Sequence, residues 1–302
     1  MNKVLFTIFT PTFNRAHTLP IVFDSLIKQK YFDFEWLIVD DGSTDNTEEL
    51  ISEWQKRSSE FSIRYYKVKN GGKPRAINFG VKEAHGDYFW ILDSDDCLTG
   101  DAVEKMKMWV EDIRNDERFA GVGAARGYSK EEYIKGRPPK TCSKGYVDAT
   151  NLERSEYDLD ADMTEAYKTA ILLKYPMAEW PGENFAPEQI ALNEMALDGY
   201  KIRWHKDIIY ICKYLEDGLT KNSFSLEKNN PMGYAMMYNH KLKYPKLGMK
   251  DKFKAACQHI ALSIYGKRTD YIWKSNDMRY TILALPIGYL LSYRRKKQFS
   301  EK

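Results

Sequence analysis

Trp36-Leu37-Ile38-Val39-Asp40-Asp41-Gly42-Ser43-Thr44-Asp45 is an apolar run that stops at paired carboxylates and a glycine. The residues Trp36 to Val39 read as a strand, and the polar cluster after them marks its carboxyl end. Helical patterning follows from Thr44 to Arg57. Ser43 or Thr44 is placed to cap that helix, with Asp45 and Glu48 favoured in its first turn. Asp40 and Asp41 precede the cap and need another task.

The same alternation extends to both sides. Val4 to Thr10, Ile63 to Val68 and Tyr88 to Leu92 read as strands; Thr18 to Lys30 and Pro74 to Ala84 read as helices, the second opened by a proline that the first turn tolerates. Strands joined by crossover helices predict an α/β domain with a mostly parallel sheet flanked by helices. In such sheets ligands bind beyond the carboxyl ends of the strands, where the polar clusters fall. Further on, Asp101 to Asp116 reads as a helix, Ala120 to Ala125 as a strand and residues 126–160 as a long surface loop. Helical periodicity returns at Thr164 to Lys174 and Pro187 to Leu197, and Ile202 to Trp204 and Ile208 to Tyr214 read as strands. The chain is divided accordingly into a domain over 1–220 and a helical, aromatic C-terminal extension over 221–302.

The chain's 302 residues bury enough surface for a core without staples. Its cysteines, Cys97, Cys142, Cys212 and Cys257, are far apart and form no CxxC pair, so neither a zinc site nor a disulfide framework is suggested and a reducing cytosol is the simplest home. A net charge of +3 with intermixed signs gives no footprint for nucleic acid. The apolar start breaks at Pro11-Thr12-Phe13-Asn14-Arg15 and lacks a small-residue cleavage site, so it is a first strand rather than a secretion signal. No run reaches the roughly 20 apolar residues of a membrane span. Thr281 to Leu291, followed by Arg294-Arg295-Lys296-Lys297, fits two readings: a peripheral helix on an anionic membrane, at the inner face of the cytoplasmic membrane, or a last helix packed on the domain with a solvated tail.

Chemistry concentrates at Trp90-Ile91-Leu92-Asp93-Ser94-Asp95-Asp96. Crowded carboxylates repel one another unless a cation or donors neutralise them. A hard ion such as Mg²⁺ or Mn²⁺ takes one or two carboxylates plus phosphate oxygens and water. Alternation along an extended chain lets Asp93 and Asp95 face the same way. An acidic turn capping the next helix is the plain alternative. In Asn70-Gly71-Gly72-Lys73-Pro74-Arg75-Ala76-Ile77-Asn78-Phe79-Gly80 two glycines and a lysine open a helix, a place suited to phosphate. It matches neither the P-loop nor the dinucleotide fingerprint.

Together, Pro11-Thr12-Phe13-Asn14-Arg15, Val39 to Asp45, Gly71-Gly72-Lys73 with Ala76, Asn78 and Gly80, and Asp93-Ser94-Asp95-Asp96 resemble family 2 of the glycosyltransferases, whose members share the GT-A fold. The resemblance covers residues 3 to about 218. It implies that Pro11, Thr12, Asn14, Arg15, Asp40, Asp41, Lys73, Asn78, Asp93 and Ser94 bind a nucleotide-diphospho-sugar, with Asp41 on the base, and that Asp95 holds Mn²⁺ or Mg²⁺. The family's Glu-Asp pair ahead of a Gly-Tyr is here Pro187-Glu188, twelve residues before Gly199-Tyr200. Glu188 keeps a carboxylate at the position of the base, with Glu183 as reserve; a first-turn helix residue is the bland reading. Tyr214 to Thr220 is similar to a segment near the active-site floor of related bacterial enzymes. The expected reaction is inverting transfer from a nucleotide-diphospho-sugar, with a UDP-sugar as the expected donor, to a saccharide or lipid-linked saccharide acceptor in polysaccharide or glycolipid synthesis. A non-catalytic sugar-nucleotide binder and a nucleotidyltransferase are the rivals. Of the histidines only His205, after a strand, is placed to approach the site, and Trp180 is the first choice for stacking on a sugar.

Overall fold

The computed structural model describes residues 4–212 and 223–300. The first strands and helices follow the alternation of the sequence: β1 (Phe6–Thr12), α1 (Leu19–Leu26), β2 (Phe34–Asp40), α2 (Thr47–Arg57), β3 (Ser62–Lys67), α3 (Lys73–Glu83) and β4 (Tyr88–Ile91). Then come β5 (Cys97–Leu98), α4 (Ala102–Ile113), β6 (Phe119–Gly127), β7 (Tyr146–Ala149), β8 (Met163–Lys168), α5 (Thr169–Leu172), α6 (Gln189–Leu197) and β9 (Lys201–Ile211). Among the described residues these strands form one sheet in the order β3-β2-β1-β4-β8-β6-β9-β5, with β7 also on β9. The β3-β2-β1-β4 block is parallel, with Thr12 opposite Asp40.

Two aromatic helix faces fix α1 and α2 to this block. Phe23 stacks on Trp54 at 4.6 Å between ring centroids and lies 6.1 Å from Trp36, and each such buried ring contributes about 1.5–3 kcal/mol. The Trp36 indole N–H is satisfied by Thr10 Oγ1 at 2.9 Å. On the other face, α3 approaches β1 so closely that a Cβ on Gly80 would lie 2.3 Å from the Phe9 ring.

Three expectations change. Thr164 to Lys168 is not helical: it forms β8, antiparallel to both β4 and β6. Its Thr164 hydroxyl accepts the Trp90 indole N–H at 2.7 Å. Residues 126–160 are not all loop, since β7 pairs with β9 and a 3-10 helix spans Asn151–Tyr157 behind a Thr150–Glu153 capping box. Ile202 to Trp204 and Ile208 to Ile211 belong to one strand, β9, whose pairing with β6 shifts register between Ala124 and Arg126.

The chain divides into two compact units: residues 4–176 with 192–212, and residues 177–191 with 223–300. The second thus takes a stretch, 177–191, that the expected boundary at 220 leaves in the first. It contains α7 (Ser223–Asn229), α8 (Pro231–Lys241), α9 (Met249–Tyr265), a 3-10 helix (Thr269–Lys274) and α10 (Met278–Ser300). Its core sets Leu242, Ile260 and Ile272 among the small residues Ala255, Ala256, Cys257 and Ala284, and a Cβ at Gly288 of α10 would lie 2.7 Å from Ile260. The segment Tyr214 to Thr220 lies outside the described residues.

Candidate active site

The parallel register carries the ends of β1, β2 and β4 to one side of the sheet. The Asp41 N–H donates to the Thr12 carbonyl at 2.8 Å, and the Val68 N–H donates to the Asp40 carbonyl at 2.8 Å. Gly42 turns the chain at φ +86°, and a Cβ there would sit 3.2 Å from Asn70 N. A side chain there would be strained by the left-handed conformation and crowded against Asn70. Asn14, itself at φ +53°, joins two of the turns: its N–H donates to Ser43 Oγ at 2.8 Å, and its Oδ1 accepts the Thr44 N–H at 2.8 Å. Ser43 and Thr44 are therefore occupied with Asn14 and do not cap α2. Asp45 supplies that contact instead, accepting the Thr47 N–H at 3.2 Å and its hydroxyl at 2.6 Å.

The paired aspartates point to different duties. Asp40 is fully buried, accepting the Ser43 N–H at 2.7 Å and the Tyr65 hydroxyl at 2.7 Å. It braces the turn from behind, a local task that the sequence reading did not give it, and has no surface to offer a nucleotide. The Asp41 carboxylate accepts the N–H groups of Gly71 and Gly72, each at 2.8 Å, so it shapes the glycine loop ahead of α3. Burial raises its pKa, against those two hydrogen bonds. Gly72 enters the helix at φ +89°.

Lys73, the first residue of α3, reaches Asp93 Oδ1 at 2.8 Å. From β6, Arg126 approaches Asp93 Oδ2 at 3.4 Å and Asp96 Oδ2 at 4.0 Å, with its guanidinium 4.1 Å over the Tyr210 ring. Tyr210 accepts the Asp93 N–H at 2.9 Å. Burial would raise the Asp93 pKa, but Lys73 and Arg126 outweigh it and hold the carboxyl well below the usual range. Asp95 is half-buried, and its pKa is raised by burial and by the charge of Asp93, with Arg15 acting in the opposite direction. Ser94 is buried in the turn, Pro11 is half-buried at the end of β1, and Asn78 is half-buried in the second turn of α3.

Two buried polar atoms here, Thr12 Oγ1 and Arg126 Nε, have no hydrogen-bond partner. Buried donors and acceptors are normally satisfied, so both suit a polar ligand. Arg126 and Tyr210 are missed by the sequence reading. Arg126 follows an apolar strand directly, the same signature that marks Asp40 and Asp93, whereas nothing in the sequence separates Tyr210 from a core tyrosine. Among the described residues no three His, Cys, Asp or Glu side chains converge as a ready-made metal cage. That donor set fits an ion held by one or two carboxylates and completed by phosphate and water.

Other expectations fall elsewhere. His205 lies inside β9, buried, with its ring 4.0 Å from Trp109 and 5.6 Å from Tyr146; it is a packing residue. Trp180 belongs to the second unit, edge-on to Tyr271 at 5.1 Å and under Arg268 at 5.0 Å. Glu183 accepts the N–H groups of Met232 and Gly233 at 2.9 and 2.8 Å and so holds the first turn of α8. Glu188, half-buried, stands immediately before α6, where its carbonyl accepts the Ala191 N–H at 3.1 Å.

A Staphylococcus aureus TarS structure in complex with UDP-GlcNAc superposes with a TM-score of 0.64 at 18% identity, over 96% of this chain and 82% of that one. A Pyrobaculum calidifontis mannosyltransferase in complex with GDP-Man and Mn²⁺ does so with a TM-score of 0.58 at 14% identity, over 99% and 84%. These likenesses establish the GT-A fold. Residues 7–160 match the model of glycosyl transferase family 2, and the chain belongs to that family. An uncharacterized glycosyltransferase of Rickettsia felis is 35% identical over 129 residues, which is 43% of this chain and 21% of that protein. The chain spans less than half the length of the first curated relatives it matches.

Proposed function

We propose that the protein is a metal-dependent inverting glycosyltransferase, transferring a sugar from a UDP-sugar to a hydroxyl acceptor in polysaccharide or glycolipid synthesis. The observation that carries this reading is the carboxylate cluster Asp93 to Asp96, set at a parallel strand's carboxyl end beside the Asp41-organised glycine loop. Pro11, Thr12 and Asp41 line the nucleotide, with Asn14 fixing the turn that presents it. Arg15, Asn78 and Ser94 complete the donor site, and Asp40 acts through the turn it braces. Lys73 and Arg126 orient Asp93 towards the ribose. Asp95 is the ligand for Mn²⁺ or Mg²⁺, which when bound neutralises the diphosphate leaving group. In a single displacement the acceptor oxygen bonds to the anomeric carbon as the bond to the diphosphate breaks. Glu188 takes the hydroxyl proton, and no covalent glycosyl-enzyme forms.

Glu188 is taken as the base, and Glu183, whose carboxylate holds the first turn of α8, as the reserve. The test is donor hydrolysis and transfer with UDP-sugars, with and without Mn²⁺. Turnover that requires the ion supports the reading. Tight donor binding without any turnover identifies a sugar-nucleotide binder instead.

A further inference from the structure

The last helix has two unlike sides. Thr281, Ala284 and Ser292 face inward and are buried. The other side carries Ile282, Leu283, Ile287, Tyr289, Leu290 and Tyr293, with Leu283 68%, Leu290 62% and Tyr293 72% exposed. These positions recur every three to four residues and so form one continuous face. A helix bordering water places charge on its outer side, yet no charged residue occurs between Arg279 and Arg294. Arg294, Lys296 and Lys297 then follow at the surface, while Arg295 turns to Glu227 at 2.6 Å.

We propose that this face of α10 docks on an anionic phospholipid bilayer, lying along it. No helix among the described residues is long and apolar enough to cross a membrane. The aliphatic side chains enter the acyl boundary. Tyr289 and Tyr293, each with an apolar ring and a polar tip, match the headgroup level. The cationic end meets lipid phosphate, and the charge selects this occupant: from Met278 to Ser300 there is no Asp or Glu, so a second copy would bring like charge and no acidic counterpart on the same face. Apolar burial and surface charge together give reversible attachment.

This surface does not depend on the reaction proposed above. The test is co-sedimentation of the full chain with phosphatidylglycerol vesicles and with phosphatidylcholine vesicles. The wild type is expected to bind the first and bind the second weakly. The double variants Ile287→Glu/Leu290→Glu and Lys296→Glu/Lys297→Glu each lower binding to phosphatidylglycerol at least about tenfold, with thermal midpoint and donor hydrolysis unchanged. Absence of wild-type binding to phosphatidylglycerol overturns the proposal, as does undiminished binding of both variants. So does a wild-type dimer that Ile287→Glu/Leu290→Glu converts to monomer, which would assign the face to a second copy.

Discussion

At the scale of single residues, neighbouring carboxylates acquire different roles from their surroundings. Asp93 is met by Lys73 at 2.8 Å and by Arg126 at 3.4 Å, whereas Asp95 stands half-buried one residue beyond Ser94. Asp95→Ala is accordingly expected to abolish Mn²⁺-dependent transfer while leaving the melting temperature near that of the wild type; transfer at the wild-type rate would refute the assignment of Asp95 to the ion. Glu188→Gln keeps shape but removes basicity, so donor affinity should persist while kcat falls by at least about a hundredfold, the range of general base catalysis. A titration of donor binding beside a rate measurement separates those effects. Gly42→Ala forces a left-handed conformation on a residue with a Cβ and is expected to cost ~1–3 kcal/mol in denaturant unfolding.

At the scale of elements, β9 and α8 make the sharpest predictions. Burial of His205 between Trp109 and Tyr146 lowers its pKa from 6.5 to about 4. The unfolded chain therefore binds this proton at higher pH than the folded one, and stability is lost as pH falls from 6.5 towards 4. The full loss is about 3 kcal/mol. His205→Phe retains a ring without a titrating group, so its stability relative to wild type should rise by that amount between pH 7 and pH 4; parallel pH profiles in urea unfolding would show that the histidine is not buried neutral. In α8, Glu183→Ala leaves the Met232 and Gly233 N–H groups without their acceptor and is expected to cost ~1–3 kcal/mol, read as a lower unfolding midpoint.

The elements also show how far the sequence was legible. The β1 to β4 region could be read because each strand is a short apolar run closed by turn residues and followed by a capped or proline-opened helix. The strand β8 could not, because Met163-Thr164-Glu165-Ala166-Tyr167-Lys168 fits a helical as well as an extended period, and only its pairing with β4 and β6 decides between them. Likewise the charge of Arg126 was visible at the end of an apolar run, but its partner was not: Asp93 lies 33 positions away.

For the molecule as a whole, donor and ion should bind as one unit. At a UDP-sugar concentration a hundred times its dissociation constant, the folded state gains about 2.7 kcal/mol. This gain should vanish on chelation by EDTA, and a thermal shift that is the same with and without Mn²⁺ would separate donor binding from the ion. What the sequence by itself determined is the parallel core, the strand-end clusters and the family, because hydrophobic period, glycine turns and crowded carboxylates are local properties. The tertiary structure alone decided that Asp40 serves the turn, that Glu183 serves α8 and that Lys73 and Arg126 share Asp93. Those assignments depend on which groups from distant positions come within hydrogen-bonding reach, and that is set by how the elements pack.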